Sequence, residues 1–568
     1  MRIHVDNVRI LYNQRHGVDV KRLLTEKPAD REARLEHDKR LRTNEEQIRI
    51  LMDNVLLAIN MNASMLSVQK IHDHIGKYVT LPDSWRSKNY AFEFVEAINE
   101  VVADDILKEL RESSLHTLIV DESTDISVHK MLILYFKYRS PNSSNYKTVF
   151  GGIVQLTACN APALEKAITK YYSDHEIDIN RLVMLTSDGA SVMLGRRNGL
   201  AALLKRTVPH LSEQHCVAHR EDLALTDPWK DNSLLKKIEV LLRTVHILFC
   251  RSSFKTAALA ELASVCQVEV LSFRPIQDVR WLSRHSAVST FVRNLDALTL
   301  YCEEQVNENS DPICTYVLRL IQDPQYLLVL HTIHDVLEDL TLSKLLQRST
   351  LSPIEAHQLC LSKIRKLEAQ YLVENAFWND KAKQILTENE DIDTKQIIRS
   401  VCDHLHARFP AGELKCWSAF DPTALRNCTL DCGVSEVRRL CVQYKELINV
   451  TDDELVIKQY NDFKFLMSEK LKSGTITSLQ DIAEITLNDE QFESLAKLID
   501  VCCTFQASSA DCERGNAIKF KSRNRLEITH LNHLMQIRLY LCAGRTVDLH
   551  KAYIMWMEKK GRRDKQSC

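Results

Sequence analysis

Residues 1–158 of this 568-residue chain contain no cysteine; all 17 cysteines fall between Cys159 and Cys568. That absence excludes a cysteine-ligated zinc finger from the front of the chain, because such a finger needs thiolate ligands. No C-x-x-C pair occurs later, and Cys428 and Cys432 are spaced more widely with no second ligand pair. With 13 glycines and 12 prolines there is little material for linkers, and long helices are expected. No apolar run nears the roughly 18 residues of a membrane span. The longest, such as Met131–Phe136, are strand-sized, so no membrane partner is expected. The opening "MRIHVDNVRILYNQRH" has scattered charges and no apolar stretch of the kind a secretory signal carries. The thiols are therefore expected to be reduced, in nucleus or cytoplasm. An excess of one charge is lacking too: the net charge is -2. A nucleic-acid partner would have to be held by local basic patches.

What is present is the composition of a folded protein, 45% apolar and 26% charged, long enough for about two to four domains. Residues 1–110 read as helical, with Ile48, Leu51, Val55 and Ile59 near one face. The period then changes. "LHTLIV" (Leu115–Val120), "MLILYFKYR" (Met131–Arg139) and "TVFGGIVQLTA" (Thr148–Ala158) read as three strands joined by short connections, hence antiparallel. A helix over Pro162–Ile177, a strand in "RLVMLTSDGA", a helix in "NGLAALLKRTV" and a strand passing into a helix in "EQHCVAHREDLALTD" follow. The order β-β-β-α-β-α-β-α is that of an RNase H-like α/β fold, with parallel strands added by crossovers beside the first strand. From Phe291 to about Ala507 the text is helical, with no second β-rich block. The domains expected are a helical N-terminal region over 1–110, the first part of an RNase H-like core over 111–290 and a helical insertion over 291–500. Closing helices over 501–545 and a basic tail over 546–568 complete the chain.

Asp121 follows the first strand and Asp188 the fourth. In that topology the two strands are neighbours, so the carboxylates would converge, although an Asp after a strand is often only a turn or cap residue. Converging carboxylates bind hard divalent cations through oxygen, and phosphodiester chemistry uses such cations to activate one oxygen and stabilise another. Glu513, in "SADCERGNAIKFKSRNR", is the third carboxylate that would complete the set; the alternative is a surface Glu paired with Arg514. Lys519, Lys521, Arg523 and Arg525 stand just after it and would hold DNA phosphates or form a solvated helix face.

"LIVDESTD", "LTSDGASVM", "HCVAH", "VRWLS" and "SSADCERG", in this order, resemble the hAT transposase superfamily, and more narrowly host-genome proteins derived from it that carry a C-terminal dimerisation region. The resemblance covers roughly Asn89 to Arg545. It implies a D-D-E triad at Asp121, Asp188 and Glu513 that would bind Mg²⁺ or Mn²⁺ and cut DNA. It also implies that Arg280 and Trp281 match a motif whose indole stacks on a flipped base, with core packing as the alternative. Cys216 and His219 match a C-x-x-H step, for which a structural or DNA-positioning role and simple burial both stand. With His215 they are too few for structural zinc.

Three functions remain open: a domesticated transposase-derived nuclear protein that binds DNA and protein partners, an active metal-dependent transposase, and an interaction scaffold in transcription or the SUMO pathway. Self-association as a homodimer or higher oligomer is expected through "RLEITHLNHLMQIRLYLC" (Arg525–Cys542), whose Leu531, Leu534, Ile537 and Leu541 form an apolar stripe. The partner within the chain would be "FESLAKLIDVCCTF".

Overall fold

The computed structural model describes residues 28–82, 84–124, 130–141, 143–276, 281–340, 343–346, 348, 351–373, 376, 378–388, 394–410, 414–429, 431–449, 453–512 and 527–559. The chain divides into two compact units, one of residues 109–520 and one of residues 1–108 with 521–568.

The larger unit is built on a five-stranded sheet: β1 His116–Thr124, β2 Lys130–Arg139, β3 Tyr146–Leu156, β4 Leu182–Ser187 and β5 Ser212–His215. Their order is β3-β2-β1-β4-β5. β1, β2 and β3 are antiparallel. β4 lies parallel to β1, and β5 parallel to β4. This is the RNase H-like mixed sheet that the element order predicts.

The apolar runs become strands because they are covered. Met131–Tyr138 are all buried, the pattern of a strand packed on both faces. The crossover from β3 to β4 runs through the helix Ala161–Asp174. The Asn160 side chain accepts from Ala163 N–H, and a proline sits in its first turn.

β1 runs three residues beyond Asp121, which is therefore inside the strand and not at its end. The antiparallel pairing explains it: Asp121, Glu122, Ser123 and Thr124 stay in register with Ile133, Leu132, Met131 and Lys130. β2 thus continues to satisfy their backbone groups after β4 has stopped. The helix expected in "NGLAALLKRTV" covers only Leu200–Leu204.

From Val217 to Thr504 every described element is helical. The helical run thus begins well before Phe291. In Ser233–Cys250, Leu235, Ile238, Leu242, Val245 and Phe249 are buried at helical spacing, and Asn232 caps the first turn. Two apolar clusters hold this part. One joins helices between Val217 and Arg408; the other packs helices between Leu414 and Thr504 against Val183 and Met184 of β4.

In the smaller unit the helix Pro28–Asn60 packs against both Ile528–Cys542 and Leu549–Glu558. Leu531, Leu534 and Ile537 are 3%, 1% and 0% exposed. Leu531, Leu534 and Ile537 of the C-terminal stripe are thus buried within the smaller unit, where their helix packs against the N-terminal one. Ion pairs tie in the helix Lys88–Glu112, through Arg545–Asp105 at 2.5 Å and Lys551–Asp104 at 2.5 Å, and His550 hydrogen-bonds to Glu45 at 2.7 Å. No described helix is long and apolar enough to cross a membrane.

Candidate functional site

The parallel register pairs Leu118 with Leu185 and Ile119 with Thr186. Counting it on by two residues brings Asp121 level with Asp188, on chains about 4.8 Å apart where strands pair. Both aspartates are half-buried. Asp188 stands directly after β4, and its Oδ1 accepts from Ala190 N–H at 3.2 Å. That bond braces the turn into the next helix and leaves Oδ2 for another partner.

Alternation along β1 and β4 puts Thr117, Ile119 and Asp121 on one face with Thr186. A single segment crosses this face. Thr117 Oγ1 donates to Thr504 O at 2.8 Å, Lys137 Nζ to Phe505 O at 2.6 Å and Thr186 Oγ1 to Gln506 O at 2.9 Å. Val217 N–H then donates to Ala507 O at 3.0 Å. The Cys216 thiol lies 3.3 Å from Ser508 Oγ and accepts from Ser509 N–H at 3.2 Å. Cys512 Sγ finally returns to Ile119 O at 4.0 Å, two residues before Asp121. Phe505, Gln506, Ala507, Ser508 and Cys512 are buried at 1% exposure or less. The segment is anchored upstream as well, since Asp500 receives Arg139 at 3.0 and 3.2 Å and the Tyr146 hydroxyl at 2.6 Å.

Cys216 is thus buried at the N-cap of the helix Val217–Asp231, and its sulfur holds the returning segment. His219 is half-buried, with its ring 5.5 Å from that of His215. His215 stands opposite Ser187 in the β4–β5 register. Its ring lies so close over Gly189 that an added Cβ would stand 2.2 Å from it, which explains a glycine beside Asp188. Burial first, then Arg220, His219 and Arg408, pushes the His215 imidazole down to about 3, so it is neutral at physiological pH.

Glu513, Arg280, Lys519, Lys521, Arg523 and Arg525 lie outside the described residues, as does the side chain of Trp281, whose backbone opens the helix Trp281–Arg293.

Two features escaped the reading of the sequence. Lys137 has a signal there: it is the one cation inside the apolar run Met131–Tyr138, and it is 4% exposed. The other is His334, Asp335 and Glu338 in "HTIHDVLEDL", whose ligand atoms lie within 4.8 Å of one another. This group could hold a metal ion, and its mixed nitrogen and oxygen donors do not fix which. Asp335 also accepts from Asn379 Nδ2 at 2.6 Å.

Residues 67–199 match the family DUF4371, described as a ZMYM1/FAM200, RNase-like domain. The matched stretch contains β1 to β4 and both aspartates.

Proposed function

We propose that this chain is a transposase-derived nuclear protein that binds DNA at its RNase H-like core, with Asp121, Asp188 and Glu513 as a divalent-cation site. The observation that carries this reading is the register that brings Asp121 level with Asp188. The path of residues 504–512 supports it, since the chain reaches Ile119 at Cys512, the residue before Glu513. The match of residues 67–199 to an RNase-like domain agrees with it.

The residues present fit a hard cation. Carboxylate oxygens are its preferred donors, and Asp188 has spent only one oxygen on its own turn. Mg²⁺ or Mn²⁺ bound there would activate an oxygen nucleophile and stabilise the leaving oxygen of a phosphodiester. The chain's own part is to hold the acids at fixed positions. Pairing with β2 fixes Asp121, the turn bond fixes Asp188, and the sheet-bound segment ends at Cys512, the residue before Glu513. Neutral His215 adds no competing cation beside Asp188. Lys519, Lys521, Arg523, Arg280 and Trp281 are the residues we assign to DNA.

Self-association belongs to the same proposal, through a different surface from the C-terminal stripe. Met61, Leu66 and Tyr78 are 67%, 67% and 75% exposed in the smaller unit, apolar side chains open to a second copy.

The test is incubation of the purified chain with labelled duplex and hairpin DNA across a Mg²⁺ and Mn²⁺ series. Metal-dependent cleavage, or metal-dependent retention of DNA, that disappears in Asp188→Ala supports the proposal. DNA handling that is indifferent to both the metal and Asp188 overturns it.

A further inference from the structure

The carbonyls of Thr504, Phe505 and Gln506 are three in succession. Each accepts from a different strand: β1 through Thr117, β2 through Lys137 and β4 through Thr186. Thr117 and Lys137 are direct cross-strand partners. All three donors are 4% exposed or less. A main-chain segment with no strand partner would ordinarily leave these carbonyls unsatisfied, at a cost of about 1–3 kcal/mol each. Here side chains do the work of a sixth strand.

A lysine is an expensive way to do so. Burial pushes the Lys137 ammonium down to about 8, against the opposite pull of Cys503, Glu355, Cys502 and Asp511 facing it from the packed helices and the returning segment. A threonine or a backbone amide could supply one hydrogen bond without that penalty. A cation supplies what they do not, a charge-assisted bond of 2.6 Å that fixes the segment's position.

We infer that Lys137, with Thr117 and Thr186, is a positioning latch that sets the register of residues 504–512 on the sheet and thereby the approach of the chain to the acidic site. The inference rests on the proposed site at Asp121 and Asp188 for its consequence, but not for the latch itself. Lys137 touches no reacting atom. It acts through the backbone of Phe505, seven residues before Cys512, where the segment meets Ile119.

Two readouts on the full chain separate the latch from the site. Hydrogen exchange, followed by mass spectrometry, reports on the amides of residues 506–512. Lys137→Met is expected to raise their exchange at least tenfold, with the β2–β3 amides unchanged. Lys137→Arg, which keeps a charged donor, should restore most of the protection. Burial favours the neutral amine, which still donates to Phe505 O, so in the wild type raising the pH from 7 to 9 should tighten the same amides relative to the intrinsic change in exchange, and Lys137→Met should remove that dependence. Should Lys137→Met fail to fold, Thr117→Val and Thr186→Val carry the same test, each removing one latch bond. Unchanged exchange in 506–512, or an equal rise across the whole sheet, overturns the latch.

The second readout is Mn²⁺ affinity by calorimetry, with every protein in a His334→Ala background so that the second metal-capable group does not contribute, and it is expected to fall at least tenfold in Lys137→Met. Asp121→Asn should lose Mn²⁺ and keep the protection of 506–512. A wild type with no Mn²⁺ binding would contradict the proposed site, while the exchange data still decide the latch. Normal Mn²⁺ affinity in a Lys137→Met chain with a loosened segment would overturn the link between them.

Discussion

Glu221 shows how one residue can set the pH response of the large unit. It is 1% exposed, and neither carboxylate oxygen has a hydrogen-bond partner among the described residues. Burial, reinforced by Asp222 and opposed by Lys363, pushes its carboxyl well above the usual range. Folding therefore takes up a proton. The carboxyl costs nothing below its unfolded value near 4.5 and costs more as pH rises from there towards its raised folded value. Glu221→Gln should remove this slope, which is at most about 1.4 kcal/mol per pH unit. Denaturant titrations of both proteins between pH 5 and 8 should diverge upward; parallel curves would contradict the buried carboxyl.

Gly433 is a second such position. Its φ of +77° is left-handed, and an added Cβ would stand 1.9 Å from the Tyr460 hydroxyl, which donates to Ala419 O. Gly433→Ala should cost at least the roughly 1–3 kcal/mol of left-handed backbone strain, measured as a lower denaturation midpoint. Neither effect can be read from the sequence, because burial and φ are set by neighbours remote in the chain. Lys137 was closer to legible, as a lone charge in an apolar run.

Among the elements, the strands were legible and their limits were not. Apolar runs of strand length fixed five strands and their order, since crossover handedness leaves few topologies. The end of β1 was hidden because "DEST" looks like a turn by composition, yet β2 pairs with it throughout. The stripe on Ile528–Cys542 was visible as a stripe, but its partner lies some hundreds of residues upstream, where periodicity carries no information. The structure buries the stripe within its own unit, so Ile537→Ala should destabilise that unit by about 2–5 kcal/mol. Light scattering should show the same particle mass for Ile537→Ala as for the wild type. A drop in mass without loss of stability would place Ile537 at an interface between copies. Asp500 ties the end of the helix Glu493–Thr504 to β2 and β3. Asp500→Ala leaves Arg139 and Tyr146 without it and should cost about 3 kcal/mol, seen as a lower thermal midpoint.

For the whole molecule, a net charge of -2 means that any DNA affinity must come from local cations. If Lys519, Lys521 and Arg523 each meet a phosphate, replacing all three by alanine should reduce the slope of log affinity against log salt by about 3. An unchanged slope would assign the phosphates to other residues. How much of the proposed acidic site was legible follows from the same scale. Asp121 and Asp188 could be paired from topology alone, because parallel neighbours bring equivalent positions together. The support beneath them could not, since it comes from residues more than 300 positions away, at Thr504 to Gln506.

The central claim is that Asp121 and Asp188 share a divalent cation, and a Mn²⁺ titration tests it most directly. It should be run on the wild type, Asp121→Asn and Asp188→Asn, all in a His334→Ala background so that the second metal-capable group does not contribute. The account predicts one binding event that weakens at least tenfold in either aspartate variant, with folding unchanged. Equal Mn²⁺ affinity in all three proteins would contradict it.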